Sequence, residues 1–270
     1  ALVGLQEGVI TPRTAMTCTH GFHFGSLTVA CHCKGGRLAL NEAISESCNN
    51  YFCTVYQRTI DKDGDAHAGM NRWSAHVKSF GLGTFLGNDL PTGRKGLIPD
   101  ASYYDRFLGY STWKGATSVS NGIGQGELVA TPIQLANMTA AIANRGYYYT
   151  PHIIRESDHG PIDSNFTMPN YTTVDSQHFE VVINGMFDVF ERGTAKGARI
   201  PHITQCGKTG TAQNPHGQDH SIFVSFAPKD QPKIALAVII ENGYWGSRWA
   251  APIASLMTEK YLTDTITRPA

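Results

Sequence analysis

The hydrophobic pattern changes period near residue 205, and that change constrains the fold more than any other feature of the sequence. Residues 205–213 read as extended. Residues 220–227 alternate in part, with Ile222, Val224 and Phe226 on one face. Pro228-Lys229-Asp230-Gln231-Pro232 is turn chemistry. Residues 233–241 are β-branched and apolar, as expected of a central buried strand. A closing helix over about 248–262 carries Ile253, Leu256, Met257 and Tyr261. Upstream, helical spacing runs from Leu40 through Ile44, Cys48, Tyr51, Phe52 and Val55, and again over about 176–191, where Gly193 ends it. Between them Thr131 is an N-cap and Pro132 a first helical residue, with Gly146 as the stop. Helices, a three-strand meander and a closing helix predict an α+β fold: an antiparallel sheet flanked by helices. Residues 1–270 form one domain, with an all-helical subdomain over about 40–145 and the sheet-containing part over about 146–270.

The remaining segments are less regular. Residues 13–39 look like a loop with short extended pieces, 61–71 like a polar loop, and 79–118 like long surface loops, with Tyr103, Tyr104 and Tyr147–Tyr149 as surface anchors. Leu2, Leu5 and Val9 at helical spacing, with Gly8 and Pro12 to end it, read as the end of a helix with no start, so the chain looks cut from something longer. Lys and Arg total 22 against 22 Asp and Glu, with no basic block, which argues against nucleic-acid or anionic-membrane binding. No apolar run is long enough to span a bilayer.

Two short motifs carry chemistry. In Gly207-Lys208-Thr209-Gly210-Thr211 a strand-borne ammonium can stand beside a nucleophile. Gly210 leaves room for a substrate against the backbone, the Thr209 and Thr211 hydroxyls can meet a carboxylate, and the Thr211 N–H can face an oxyanion. In Ser47-Cys48-Asn49, a hydroxyl and an amide two apart near a helix end can face one cleft; taken alone it also fits polar helix residues in solvent. Gly122-Ile123-Gly124-Gln125-Gly126 is not a dinucleotide loop, because Glu127 stands where a third glycine is needed; it reads as a tight turn.

Together these segments resemble the serine acyl transferases of the penicillin-binding protein and β-lactamase superfamily, which use Ser-x-x-Lys, Ser-x-Asn and Lys-Thr-Gly in that order. The flanks sharpen the likeness to class B penicillin-binding proteins of the cell-elongation type. They are Glu46 to Phe52, Phe80-Gly81-Leu82-Gly83, Asp89-Leu90-Pro91, the Gly122–Gly126 run, Thr131-Pro132-Ile133-Gln134-Leu135-Ala136 and Gly207 to Gln213. No Ser-x-x-Lys precedes Ser47. Ser111-Thr112-Trp113-Lys114 fits the letters but falls after the second motif, as a chance match would, so the nucleophile and its lysine are expected just outside this chain.

The resemblance implies D,D-transpeptidation of peptidoglycan through a serine ester on D-Ala-D-Ala stem peptides, with β-lactams as inhibitors. In it Ser47, Asn49 and Lys208 are catalytic, and Thr209, Gly210 and Thr211 bind substrate. It also implies that the chemistry needs no cofactor, a cell-wall glycosyltransferase partner, an N-terminal anchor outside this chain, and a place on the periplasmic face of the inner membrane. The rival readings are a D,D-carboxypeptidase or β-lactamase, with water as acceptor, and a non-catalytic β-lactam sensor or cell-wall scaffold.

Six cysteines remain. Cys18, His20, Cys31 and Cys33 crowd one loop, with His23 and His32 beside them, at spacings that suit structural zinc; a Cys18–Cys31 or Cys18–Cys33 disulfide and free thiols are the alternatives. Cys48, Cys53 and Cys206 read as buried small apolar residues, and His220 as a loop anchor.

Overall fold

A computed structural model describes residues 1–90, 93–110, 112–156, 158 and 160–267. Pro91 of the Asp89-Leu90-Pro91 segment and Ser111 of the Ser111–Lys114 match lie outside the described residues. The chain opens with a short helix, α1 (Leu2–Gln6), stopped by Gly8 at φ +68°, a conformation that glycine alone adopts without cost. Four short strands follow as two antiparallel ladders: β1 (Met16–Cys18) pairs with β4 (Gly36–Leu38), and β2 (Gly21–Phe24) with β3 (Leu27–Ala30).

The helix expected from Leu40 onward is two helices, α2 (Leu40–Ser45) and α3 (Asn49–Ile60). They break at Ser47, whose φ is +56°. Hydrophobic spacing runs on across the break because both helices bury into the same core, so periodicity alone does not show it. The 61–71 segment is also more helical than its polarity suggests: α4 (Ala66–Lys78) starts inside it, capped by the Asp65 side chain on the Ala68 N–H. Within 79–118 lies α5 (Ala101–Leu108), capped by Asp100. Tyr104 on α5 is no surface anchor; it is 2% exposed, and its hydroxyl donates to Glu127 Oε2 at 2.7 Å.

Thr131 caps α6 (Pro132–Ala143) in a reciprocal box with Gln134. A β5 (Tyr147–Tyr149) and β6 (Pro169–Tyr171) ladder and the one-turn α7 (Ser164–Thr167) lead to α8 (Phe179–Glu191). The meander is β7 (Cys206–Ala212), β8 (His220–Ala227) and β9 (Ile234–Ile240), closed by α9 (Ala250–Thr263). The middle strand is β8, buried on both of its faces, with Phe223 and Phe226 almost wholly covered. Among the described residues the β-branched run expected to be central, β9, is an outer strand of the three and mostly half-buried. It is apolar because α6 and α9 both pack on it. α8 packs on β7 and on α2, and its Phe190 lies edge-on to Phe223 of β8 at 5.5 Å. The contact of α8 with α2 carries the Ser47 region toward the sheet.

One charge cluster ties α1 to this frame. Glu7 receives Lys62 Nζ at 3.3 Å, Arg72 Nε at 3.2 Å and His76 Nε2 at 3.1 Å, and is only 10% exposed. Burial alone would raise its carboxyl; hydrogen bonds from His76 and Lys62 and the charges of Lys62 and Arg72 outweigh that and hold it below the ordinary value. The stabilisation is therefore complete above the unfolded value of 4.5 and is lost as pH falls through the lower folded value. Glu7→Gln should cost about 1–3 kcal/mol at neutral pH and flatten this acid limb in a series of melting curves.

Candidate active site

Ser47 and Lys208 are 161 residues apart in sequence and meet at 2.6 Å, the Lys208 Nζ donating to Ser47 Oγ. Each is placed by its backbone. Ser47 sits at the α2–α3 junction in a left-handed conformation that turns it out of both helices. Lys208 stands on β7 opposite Val224 of β8, and its Nζ also donates to the Thr209 carbonyl at 2.9 Å. Burial in the cleft pushes the Lys208 ammonium down to about 8, since little solvent remains to stabilise the charge.

The sequence-derived site residues line one cleft of about 620 Å³: Ser47, Asn49, Lys208, Thr209, Gly210 and Thr211. Their partners refine the expectations. Asn49 Nδ2 donates to the Ala30 carbonyl at 2.8 Å, so the loop orients this amide and its oxygen is the group left to meet a ligand N–H. The Thr209 hydroxyl is paired with that of Thr194 at 2.8 Å. The Thr211 hydroxyl accepts a long contact from the Gly246 N–H at 3.4 Å. A side chain at Gly246 would press within 2.4 Å of the Gly210 carbonyl, so the segment after β9 lies directly against β7 there.

Sequence reasoning missed four residues of this wall. Gln125, read as part of a turn and of a family-like run but given no role in the site, donates from Nε2 to the Thr211 carbonyl at 2.7 Å and so bridges the 119–126 segment to β7. Thr194 follows the end of α8 and carries no local signal. His32 and Trp245 also line the cleft, in edge contact at 5.3 Å. Elsewhere His220 accepts the Asn242 N–H at Nδ1 and acts as a loop anchor, and Lys114 is exposed in the loop after α5.

The cysteine loop differs from expectation in one ligand. Cys18, Cys31, Cys33 and Cys48 bring their sulfurs within 4.8 Å of one another. His20 is exposed and outside the group, and Cys48 is in it rather than an ordinary core residue. Cys48 joins because the break before α3 points its side chain at the loop, which helical spacing does not predict. The sulfur distances are 3.2 Å for Cys18–Cys33, 3.5 Å for Cys31–Cys33 and 3.7 Å for Cys31–Cys48, and all six cysteines are free thiols, so neither candidate disulfide is formed. Burial would raise the Cys31 thiol, but N–H and thiol donors around it outweigh that and hold it at about 7. Burial pushes Cys33 up to about 11. The cluster is joined to the cleft, because the Asn49 N–H donates to Cys31 Sγ at 3.1 Å.

The profile of the family described as "Penicillin binding protein transpeptidase domain" matches residues 1–259. The peptidoglycan D,D-transpeptidase MrdA of Acinetobacter baumannii is 34% identical over 97% of this chain and 41% of its own length. The crystal structure of Pseudomonas aeruginosa PBP2 in complex with WCK 5153 superposes with a TM-score of 0.84 at 32% identity, over 100% of this chain and 60% of that one. A structure titled "Structural coordination of polymerization and crosslinking by a peptidoglycan synthase complex" gives 0.82 at 26% identity, over 100% and 46%. The chain thus spans less than half the length of the curated relative. With a profile match along nearly all of it and so similar a relative, the chain belongs to the penicillin-binding protein transpeptidase family, in the class B branch of the MrdA-type PBP2 proteins.

Proposed function

We propose that this chain is the transpeptidase domain of a peptidoglycan D,D-transpeptidase that takes the acyl group of D-Ala-D-Ala stem peptides as a serine ester and passes it to an amine. The observation that carries the reading is the 2.6 Å contact of Lys208 with Ser47 inside the shared cleft. The attacking serine and its lysine base come from a Ser-x-x-Lys segment outside these residues. In support, Lys208 is the only lysine among the described residues that line the cleft, and it is already engaged with Ser47. Ser47 relays a proton between that base, Lys208 and the leaving amine. Asn49 accepts from the donor peptide through its amide oxygen. Lys208 keeps the cleft electropositive, Thr209 and Thr211 hold the terminal carboxylate, and the Thr211 N–H supplies half of an oxyanion hole beside Gly210. The helical part is read as residues 40–145 and the sheet-containing part as 146–270.

The protein works on the periplasmic face of the inner membrane, beside a glycosyltransferase. Among the described residues no helix is long and apolar enough to cross a membrane. The polymerising and crosslinking complex among the structural neighbours supports such a partner. The chemistry needs no cofactor. The cysteine cluster is read as a structural zinc site of Cys18, Cys31, Cys33 and Cys48: tetrahedral zinc–thiolate bonds of about 2.3 Å set sulfurs about 3.8 Å apart, against 3.2, 3.5 and 3.7 Å for three of the pairs here, so the sulfurs need open only slightly to take the ion. The intact protein should take up a labelled penicillin covalently and release D-alanine from a pentapeptide donor. Penicillin uptake without any acyl transfer to an amine would leave only the carboxypeptidase or sensor readings.

A further inference from the structure

Among the described residues lining the 620 Å³ cleft there is one carboxylate, Glu46. It ends α2 and is the residue immediately before Ser47. The carboxylate is 18% exposed and faces the Lys34 ammonium at 2.7 Å, on a side chain that is 77% exposed. The two ends of this pair differ in kind. Glu46 is fixed by the helix terminus, whereas Lys34 reaches it from the cysteine-rich loop on a long, solvated stem. Water competes well for so exposed an ammonium, so the cation is exchangeable while the carboxylate stays in place.

We propose that Glu46 binds the acyl acceptor: its carboxylate takes the ammonium of the incoming amine in exchange for Lys34 and holds it beside Ser47. The inference deepens the transpeptidase reading and rests on it. A hydrolase draws its acceptor from water and needs no cation site. A transferase must gather a cation into a cleft that already carries the Lys208 ammonium and repels it. A carboxylate next to Ser47 cancels that repulsion where the acceptor has to stand. In the transfer the bound ammonium gives up one proton to solvent or to the Ser47 relay, and its nitrogen attacks the ester carbonyl. The carbon–oxygen bond to the serine breaks as the amide bond forms. A second proton passes from nitrogen to the serine oxygen, so one amide, one serine hydroxyl and one free proton result.

The test uses the intact protein, a thioester donor, and two nucleophiles competing with water: Nα-acetyl-lysine amide, which is cationic, and hydroxylamine, which is uncharged at neutral pH. Glu46→Gln should raise KM for the cationic amine roughly tenfold and for hydroxylamine less than about twofold, as expected when one charge-assisted contact is lost. Lys34→Ala removes the competing cation and should lower KM for the cationic amine only. Equal losses toward both nucleophiles in Glu46→Gln, or no change toward either, would overturn the proposal. An unsubstituted protein that accepts no acyl group from donor or penicillin would instead overturn the transpeptidase reading beneath it.

Discussion

Lys208→Ala in the intact protein is expected to lower the rate of covalent labelling by penicillin at least about a thousandfold, with the melting temperature unchanged or raised. The size follows from removing a group that both orients the Ser47 hydroxyl at 2.6 Å and supplies the charge of the cleft. The folded protein should not suffer, because a buried ammonium is a cost to folding. The same burial sets a pH signature. The ammonium loses its proton near 8 instead of near 10.5, so labelling should fall as pH rises through about 8. Stability should move the other way over that window, since the unfolded chain still binds the proton that the folded one has released. Lys208→Arg, charged at every accessible pH, should remove the limb near 8 while retaining part of the rate. Full labelling of the alanine variant would remove Lys208 from the mechanism.

If the proposed zinc fills the cysteine cluster, withdrawing it is the second large effect. Strong chelation, or Cys31→Ser, should lower the melting temperature by about 10 °C or more, because structural zinc contributes several kcal/mol and a small fraction of that moves Tm by degrees. Labelling should fall with it. Cys31 Sγ accepts the Asn49 N–H and Ala30 accepts the Asn49 side chain, so loosening the loop loosens the amide of the cleft. Elemental analysis of material purified without chelator should give one zinc per chain. Absence of zinc together with two fewer titratable thiols would show a disulfide-linked loop instead.

Much of the fold was legible because local chemistry and tertiary packing agree. The Thr131–Pro132 start of α6, the meander at 205–241 and the closing helix follow from capping, turn residues and β-branched runs that the packing leaves intact. The two halves of the cleft were legible for another reason. Ser47-x-Asn49 and Lys208-Thr209-Gly210 are local patterns whose meaning is joint, and the resemblance supplied the joint meaning that spacing could not. What escaped was set by contacts remote in sequence. The break at Ser47 hides inside continuous hydrophobic spacing, and with it the turn of Cys48 toward Cys31. The order of strands hides as well, because an outer strand covered by two helices is as apolar as a central one. Gln125 and Thr194 look like ordinary polar residues until β7 is beside them.

The left-handed torsion at Ser47 has a consequence for how such a protein can change. A residue with a Cβ is uncomfortable at φ +56°, and glycine would be more at ease there. The direction of the Ser47 Cβ, and with it the reach of the hydroxyl, is thus written into the chain trace. On the proposed role of Ser47, sturdiness and reactivity compete at this one position, so selection for a tougher fold alone would drift toward a robust but inert relative.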